Sequence, residues 1–549
     1  MYVSVVPAIH SIRGLAGFTY VVPATQSVQV GEIVWIPWRK QIITGVVWQI
    51  NITAPDFSVK TIINSTQFVL DAASLHFINW LANHYFISLS YAVKLFLPTI
   101  PKRKLSSKRP SSININNKIT YQINKNQVNK VQKLVKQLLS KSSAVTKQTI
   151  LYTSLAEVIG ILIGLLKNST KRIAIIVPEE QSAHILITAL QAFTEPVLIT
   201  HVMNKTQYWR AWQELFNHTS ARRLFIGTKL LSLFPLHKVD IIVQLDAADS
   251  AHKQWDLNPR YHTTTVINYW SQLTRNTVLR FSLAPALEQL LTDRINTTLL
   301  DDLKDPVVIL VDMTMVPKTT FYGLLSPTLL EQCNSQETIF LWFNNKGTGK
   351  FLWCKNCRSL LSDFITVVCP TCHSHQLVKL GHGTTSLAKE LRLAFPERVI
   401  IELTKNEPND QTINYQAKPI IIGTSYAFTR VAWSKITKVA VISCDQMLSE
   451  PTFRAAEHTL YQLMKLRNYG QGKLIIQTYA PQHTVFLALN EHYPRAWYDN
   501  ELKQRKKYQL PPFQANYLVI NTVNKTQKIY STASQLPLNE ANIVIDREL

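Results

Sequence analysis

Two cysteine pairs, Cys354-x2-Cys357 and Cys369-x2-Cys372, stand eleven residues apart in this 549-residue chain. Thiolates at that spacing close a tetrahedral site on one metal ion, one pair per tight turn, and zinc suits such a set best. Free cysteines or an iron–sulfur centre are the alternatives. His373 and His375 lie close enough to compete, but four thiolates already complete the tetrahedron. A strand-like run, Thr338–Phe343, leads into the pairs, and apolar runs alternating with helical patterns continue on both sides. The expectation is a zinc ribbon, one Zn²⁺ per chain, inserted at about 350–376 between two α/β halves.

Cys333 and Cys444 stand alone and read as buried packing thiols rather than reactive ones. Such usage suits a reducing compartment and not a disulfide framework. The N-terminus lacks a basic stretch followed by a long apolar core, and the longest helix-like apolar run, Ala156–Leu166, is short for a membrane span. A cytoplasmic protein is expected. Net charge is +23, from 58 Lys and Arg against 35 Asp and Glu. That excess points to a polyanionic partner, nucleic acid first, although charge alone does not separate DNA from RNA.

Residues 1–98 read as a compact β-rich domain, a small barrel or open sheet. Gly17–Pro23, Gly31–Trp38 and Ile42–Ile50 are strand-like and punctuated by Gly and Pro. Leu75, Ile78, Ala82 and Tyr85 follow at helical spacing. Residues 99–123 form a basic Ser- and Pro-rich linker, a solvated spacer that is also able to touch phosphates. A Lys-rich helical pattern starts at Asn124, with Val128, Val131, Leu134, Leu138 and Leu139 as its apolar positions. It opens a first α/β array over 124–320, with strand candidates Arg172–Val177, Leu224–Ile226, Val239–Leu245 and Val307–Val311. A second array spans 321–510, with Thr338–Phe343, Val399–Leu403, Pro419–Ile422, Val439–Ser443 and Leu474–Tyr479. Short β-branched runs separated by helices are the pattern of parallel sheets with crossover helices. The clearest helix begins near Thr452 and stops at Gly470.

Two such lobes on a basic chain suggest a nucleic-acid motor, which needs a Gly-rich phosphate loop, an acidic pair and an arginine. The Gly-Lys loop at Lys346–Phe351 does not qualify. Asn344 and Phe351 stand where Gly and Ser/Thr are required, and Cys354 follows instead of a helix.

The chain resembles the primosomal protein N′ family, replication-restart DNA helicases of superfamily 2. The resemblance is carried in order by Gly17-Phe-Thr-Tyr-Val-Val-Pro23, Ile175-Ile-Val-Pro-Glu179, Phe225-Ile-Gly-Thr228, Asp249-Ser-Ala-His-Lys-Gln254 and Pro259-Arg-Tyr-His262. It continues through Ser282–Glu288, Leu325-Ser-Pro327, the cysteine pairs, Ile421-Ile-Gly-Thr424, Phe453-Arg-Ala-Ala-Glu457, Ile476-Gln-Thr-Tyr479 and Leu510-Pro-Pro-Phe513. It implies two RecA-like lobes, a 3′-end DNA-binding domain and a ribbon that contacts partners. The family's winged helix has no room between 101 and 125, and 511–549 is a shortened C-terminal domain.

The departures fall on the motor. The family's phosphate loop is replaced by Leu151-Tyr-Thr-Ser-Leu-Ala-Glu-Val158, without the glycines and lysine. Its Asp-Glu-Glu-His motif becomes Leu245-Asp-Ala-Ala248, leaving Asp246 as the one acidic candidate. Its Gly-Arg-Ala-Gly-Arg run becomes Lys465–Gly472, with Arg467 as the one arginine. ATP and Mg²⁺ have no evident place. On the DNA side, Phe18 and Tyr20 match the aromatic members of the family's 3′-end signature, with Thr19 between them, and Lys60 falls where the family has a basic pocket residue. Trp38, Arg39 and Lys40 form an aromatic–basic cluster that fits a strand-end DNA contact or an ordinary exposed loop. Arg454 and Glu457 read as structural. The expectation is a fork- or branch-binding protein of replication restart that recruits other replication proteins without motor activity. An active ATP-dependent 3′→5′ helicase and a zinc-ribbon RNA-binding protein are the alternatives.

Overall fold

A computed structural model describes residues 1–10, 17–101, 125–140, 147–217, 222–300, 306–316, 324–344, 351–354, 356, 360–361, 368–369, 372–380, 383–404, 413–470, 473–538 and 543–547. The chain divides into two units, Met1–Leu299 with Lys503–Leu549, and Leu300–Leu502. The basic linker, apart from its first residues, lies outside the described residues, as does the Gly-Lys loop at 346–350.

In the first unit, β1 (Tyr2–Pro7), β2 (Phe18–Val21), β3 (Glu32–Trp38), β4 (Gln41–Ile50) and β5 (Asn64–Val69) form an antiparallel sheet in the order β2-β1-β4-β3-β5. The segment before β5 closes it into a barrel. Val21 N–H donates to Lys60 O and Ile62 N–H to Val21 O, each at 3.0 Å, while Ile63 N–H donates to Trp35 O at 2.8 Å. The same short segment thereby joins the two ends of the sheet. Alternation along the strands fills the barrel with Val3, Val5, Val34, Ile36 and Val47. Gly31 enters β3 with φ at +88°, and a Cβ there would meet Leu70 O at 2.3 Å, so the turn demands glycine.

Helices α1 (Ala72–His84) and α2 (Leu89–Phe96) follow, and Asp71 caps α1 by accepting from Ser74 N–H. Ile78, Ala82 and Tyr85 are buried, as their spacing predicts. They do not close a core of their own. Phe77 stacks on Trp270 at 4.1 Å and Trp80 on Tyr269 at 4.1 Å, so barrel, helices and the next sheet share one continuous core.

That next sheet is entirely parallel. It comprises β6 (Lys147–Leu151), β7 (Ile173–Ile176), β8 (Pro196–Ile199), β9 (Leu224–Gly227), β10 (Ile241–Leu245), β11 (Thr277–Ser282) and β12 (Arg294–Asn296), in the order β12-β6-β11-β10-β7-β9-β8. The central strands are buried on both faces, which is why they read as unbroken apolar runs. Helix α3 (Lys125–Ser140) lies against α4 (Leu155–Asn168).

The second unit has another all-parallel sheet: β13 (Val307–Asp312), β14 (Ile339–Phe343), β18 (Ile400–Leu403), β19 (Ile420–Gly423), β20 (Lys438–Ser443) and β21 (Lys473–Thr478). Between β14 and β18 it carries the small antiparallel sheet of β15 (Phe351–Cys354), β16 (Leu360–Leu361) and β17 (Leu377–Leu380). One expectation is corrected. Val307–Val311 belongs to this second sheet, paired in parallel with Lys473–Thr478, and not to the first array. The α/β fold with two parallel-sheet lobes and a β-rich N-terminal region is otherwise as expected.

The chain ends in β22 (Tyr517–Asn521), β23 (Gln527–Tyr530) and β24 (Ile543–Asp546), an antiparallel sheet that packs within the first unit. Its anchor is a buried ion pair. Lys253 Nζ donates to Asp546 at 2.8 Å, both side chains are almost wholly enclosed, and Arg260 lies 3.8 Å from the same carboxylate.

Candidate nucleic-acid interface

The barrel brings Phe18 together with the Trp38–Lys40 cluster at one rim. Phe18, at the start of β2, meets Trp38, at the end of β3, edge to face at 4.6 Å. Arg39 and Lys40 make the β3–β4 turn and are exposed, with Arg39 at φ +50°. Lys60 is exposed too, and its carbonyl holds β2 through Val21 N–H. The rim thus joins a half-buried aromatic pair to the exposed Arg39 and Lys40, while Lys60 lies beside the other end of β2. Aromatic faces and cationic side chains in such a grouping have the chemistry to stack on a base and meet phosphates. Tyr20 is placed differently. It is 4% exposed, its ring packs among Val3, Val22 and Ile62, and its hydroxyl donates to Pro37 O at 3.3 Å. Burial pushes its phenol above the ordinary range. It supports the rim from inside the barrel.

The segment expected to replace the family's phosphate loop is short. Between β6 and α4 there are only Tyr152, Thr153 and Ser154. Tyr152 is buried, and its hydroxyl donates to Asp246 at 3.0 Å. Asp246 follows the last residue of β10, has φ +50°, and is 6% exposed. At the α4 N-terminus, Glu157 accepts from Thr153 N–H at 2.9 Å and from Ser154 N–H at 3.3 Å. Helix N-termini bind phosphates through such N–H groups. Here an internal carboxylate takes the two N–H groups that lead into the helix, those of Thr153 and Ser154. Burial raises the Glu157 carboxyl above its ordinary range, against the pull of those hydrogen bonds. Sequence reading found the missing glycines, but not the Tyr152–Asp246 bond or the role of Glu157. The Ser154-x-x-Glu157 spacing, a capping-box pattern, was the available signal.

Arg467, the other weak catalytic candidate, is 1% exposed in the helix Ala455–Tyr469. Its Nη1 donates to Leu489 O and Glu491 O, each at 2.6 Å, and burial lowers its basicity to about 10. It ties the helix to the following segment. Arg454 pairs with Glu457 at 3.3 Å at the start of the same helix.

In the ribbon, Cys369 and Cys372 flank a tight turn. His373 N–H donates to Cys369 O at 2.8 Å, Cys369 N–H donates to Ser374 O at 2.9 Å, and His373 has φ +55°. Asn356, between the cysteines of the first pair, reaches Cys372 Sγ at 3.6 Å. Cys354 ends β15, while Cys357 lies outside the described residues. Among the described residues no cluster of three or more metal-ligating side chains occurs. Cys333 and Cys444 are buried, and burial pushes both thiols up to about 12, which suits packing rather than reactivity.

A small barrel, two all-parallel α/β sheets and an inserted three-stranded sheet make up the described architecture. Residues 11–98 match the family model described as the 3′DNA-binding domain of PriA. The replication restart protein PriA of Rickettsia conorii is 22% identical over 94% of this chain and 87% of its own length. That of Synechocystis is 26% identical over 56% of this chain and 43% of its own length. That of Bacillus subtilis is 23% identical over 64% and 50%. The chain is thus similar, along most of its length, to proteins named replication restart protein PriA. Among solved structures, the helicase MrfA bound to DNA and AMPPNP overlaps with a TM-score of 0.39 and 9% identity, over 67% of this chain and 50% of that one, and no argument rests on it. No described helix is long and apolar enough to cross a membrane.

Proposed function

We propose that this chain binds forked or branched DNA during replication restart and does so without an ATP-driven motor. The rim of Phe18, Trp38, Arg39 and Lys40 is the observation that carries the DNA reading, with the exposed Lys60 at the other end of β2 as a further phosphate contact. The match of residues 11–98 to a 3′DNA-binding domain, and relatives named as replication restart proteins, support it. Thr19 stands between the aromatic residues, where a carboxylate would accept a terminal 3′-hydroxyl more strongly, so affinity resides in stacking and phosphate contact. The Tyr152–Asp246 bond and the Glu157-capped α4 N-terminus support the absence of a motor. Cys354, Cys357, Cys369 and Cys372 would hold one Zn²⁺, which would fix the ribbon as a surface for other replication proteins. The cysteine usage supports a cytoplasmic setting.

The test is forked-DNA binding measured beside Mg²⁺-dependent ATP hydrolysis on pure protein. Tight fork binding with hydrolysis at background is expected. DNA-stimulated hydrolysis would remove the motor-less clause, and absence of DNA binding would remove the reading as a whole.

A further inference from the structure

The eighty-five residues between Asp71 and Glu157 contain thirteen Lys and Arg and no Asp or Glu. The barrel rim uses none of these cations. Four of them, Lys125, Lys130, Lys133 and Lys136, lie on α3. That helix has two distinct faces. Val131, Leu134 and Val135 are buried, and Val135 sits so close to Gly164 of α4 that a Cβ there would meet its Cγ2 at 2.7 Å. Asn129, Gln132, Lys133 and Lys136 are exposed on the other side. Lys133 and Lys136, one turn apart, meet no carboxylate among the described residues, whereas Lys130 lies within electrostatic reach of Glu157.

We propose that the outer face of α3 is a second nucleic-acid surface, one that contacts the phosphate backbone of a duplex through Lys133 and Lys136. The inference rests on the DNA-binding reading and extends it from the barrel rim to the first parallel-sheet lobe. Charge and packing together select the partner. A basic amphipathic helix that docks on lipid needs its apolar face free, and here that face is occupied by α4. What remains outward is cationic and amide-bearing, without an apolar anchor, which suits a sugar–phosphate backbone and carries no sequence preference.

The experiment compares full-length wild type, the double variant Lys133→Gln/Lys136→Gln, and Trp38→Ala. Each is titrated with a short 3′-ended single strand and with a fork bearing long duplex arms, across a salt series. Both lysines are exposed, so folding is retained and is checked by thermal melting. The double variant is expected to bind the short strand as wild type does. On the long fork its slope of log K against log salt should fall by about 0.9 for each phosphate no longer neutralised, or about 2 in all. An unchanged slope on the long fork would overturn the proposal while leaving the barrel reading intact. Equal weakening on both substrates would overturn it too, because the lysines would then act through the rim. If Trp38→Ala binds both substrates like wild type, the rim reading fails instead. Binding of anionic lipid vesicles that the double substitution abolishes, with fork binding unaltered, would also overturn the proposal.

Discussion

The Tyr152 hydroxyl donates to Asp246 across 3.0 Å, joining the end of β6 to the end of β10 where a nucleotide enzyme would place its phosphates and metal. A tyrosine there occupies the space and ties down the one remaining acid. Tyr152→Phe should lower stability by about 1.5–3 kcal/mol, the usual cost of losing a hydrogen bond to a charged group. Fork binding should be unchanged. ATP with Mg²⁺ should shift the unfolding temperature of neither protein. A ligand-dependent rise in that temperature would show a working nucleotide site.

The aromatic rim makes a separate prediction. Base–aromatic stacking contributes about 1–3 kcal/mol per base, so Trp38→Ala should weaken 3′-ended single-strand binding by about 5- to 150-fold. Tyr20→Phe should leave that affinity within error, because its hydroxyl serves Pro37 O inside the barrel. Fluorescence anisotropy on one labelled oligonucleotide compares the two. Equal losses would mean that the barrel interior, and not its rim, controls binding.

Much of this arrangement was legible in the sequence, and the limits have physical causes. Buried parallel strands announce themselves by apolar runs, so β7, β10, β14, β19 and β20 could be read directly. Membership of a sheet could not. Val307–Asp312 has the composition of either lobe, and only its pairing with Lys473–Thr478 decides. Phe18 and Tyr20 share one face of β2, and which of them reaches the rim depends on Trp38 from a strand elsewhere in the sheet. The Lys253–Asp546 pair joins residues 293 positions apart, and neither residue is unusual in its local sequence. Glu157 was visible as a capping residue, but its meaning came from the missing loop beside it.

The ion pair of Lys253 with Asp546 holds the C-terminal sheet to the loop that follows Asp246. Removing Lys253 leaves the buried Asp546 carboxylate with the more distant Arg260, 3.8 Å away. Lys253→Met should therefore cost about 3–5 kcal/mol, and pairing it with Asp546→Leu should recover most of that loss. Urea unfolding monitored by tryptophan fluorescence measures both. A double variant as unstable as the single one would indicate that packing, not charge, dominates there.

Asp71 gives the chain an acid-sensitive joint. Burial works against its charge, yet hydrogen bonds from His237, Lys238 and Ser74 hold its carboxyl well below the usual carboxylate range. His237 Nε2 lies 2.7 Å and Lys238 Nζ 2.6 Å from the same oxygen, so the α1 cap also fastens the helix to the first parallel-sheet lobe. A carboxyl whose pKa is lower folded than unfolded adds stability above its unfolded pKa, about 3.9, and loses it as pH falls from there toward the folded value. Asp71→Asn keeps a competent helix cap and removes only the charge. Wild type should exceed the variant in stability above about pH 5, and the gap should narrow steadily below about pH 4. Urea midpoints taken across that range are the measurement. A gap independent of pH would mean that the carboxylate acts through shape and hydrogen bonding alone.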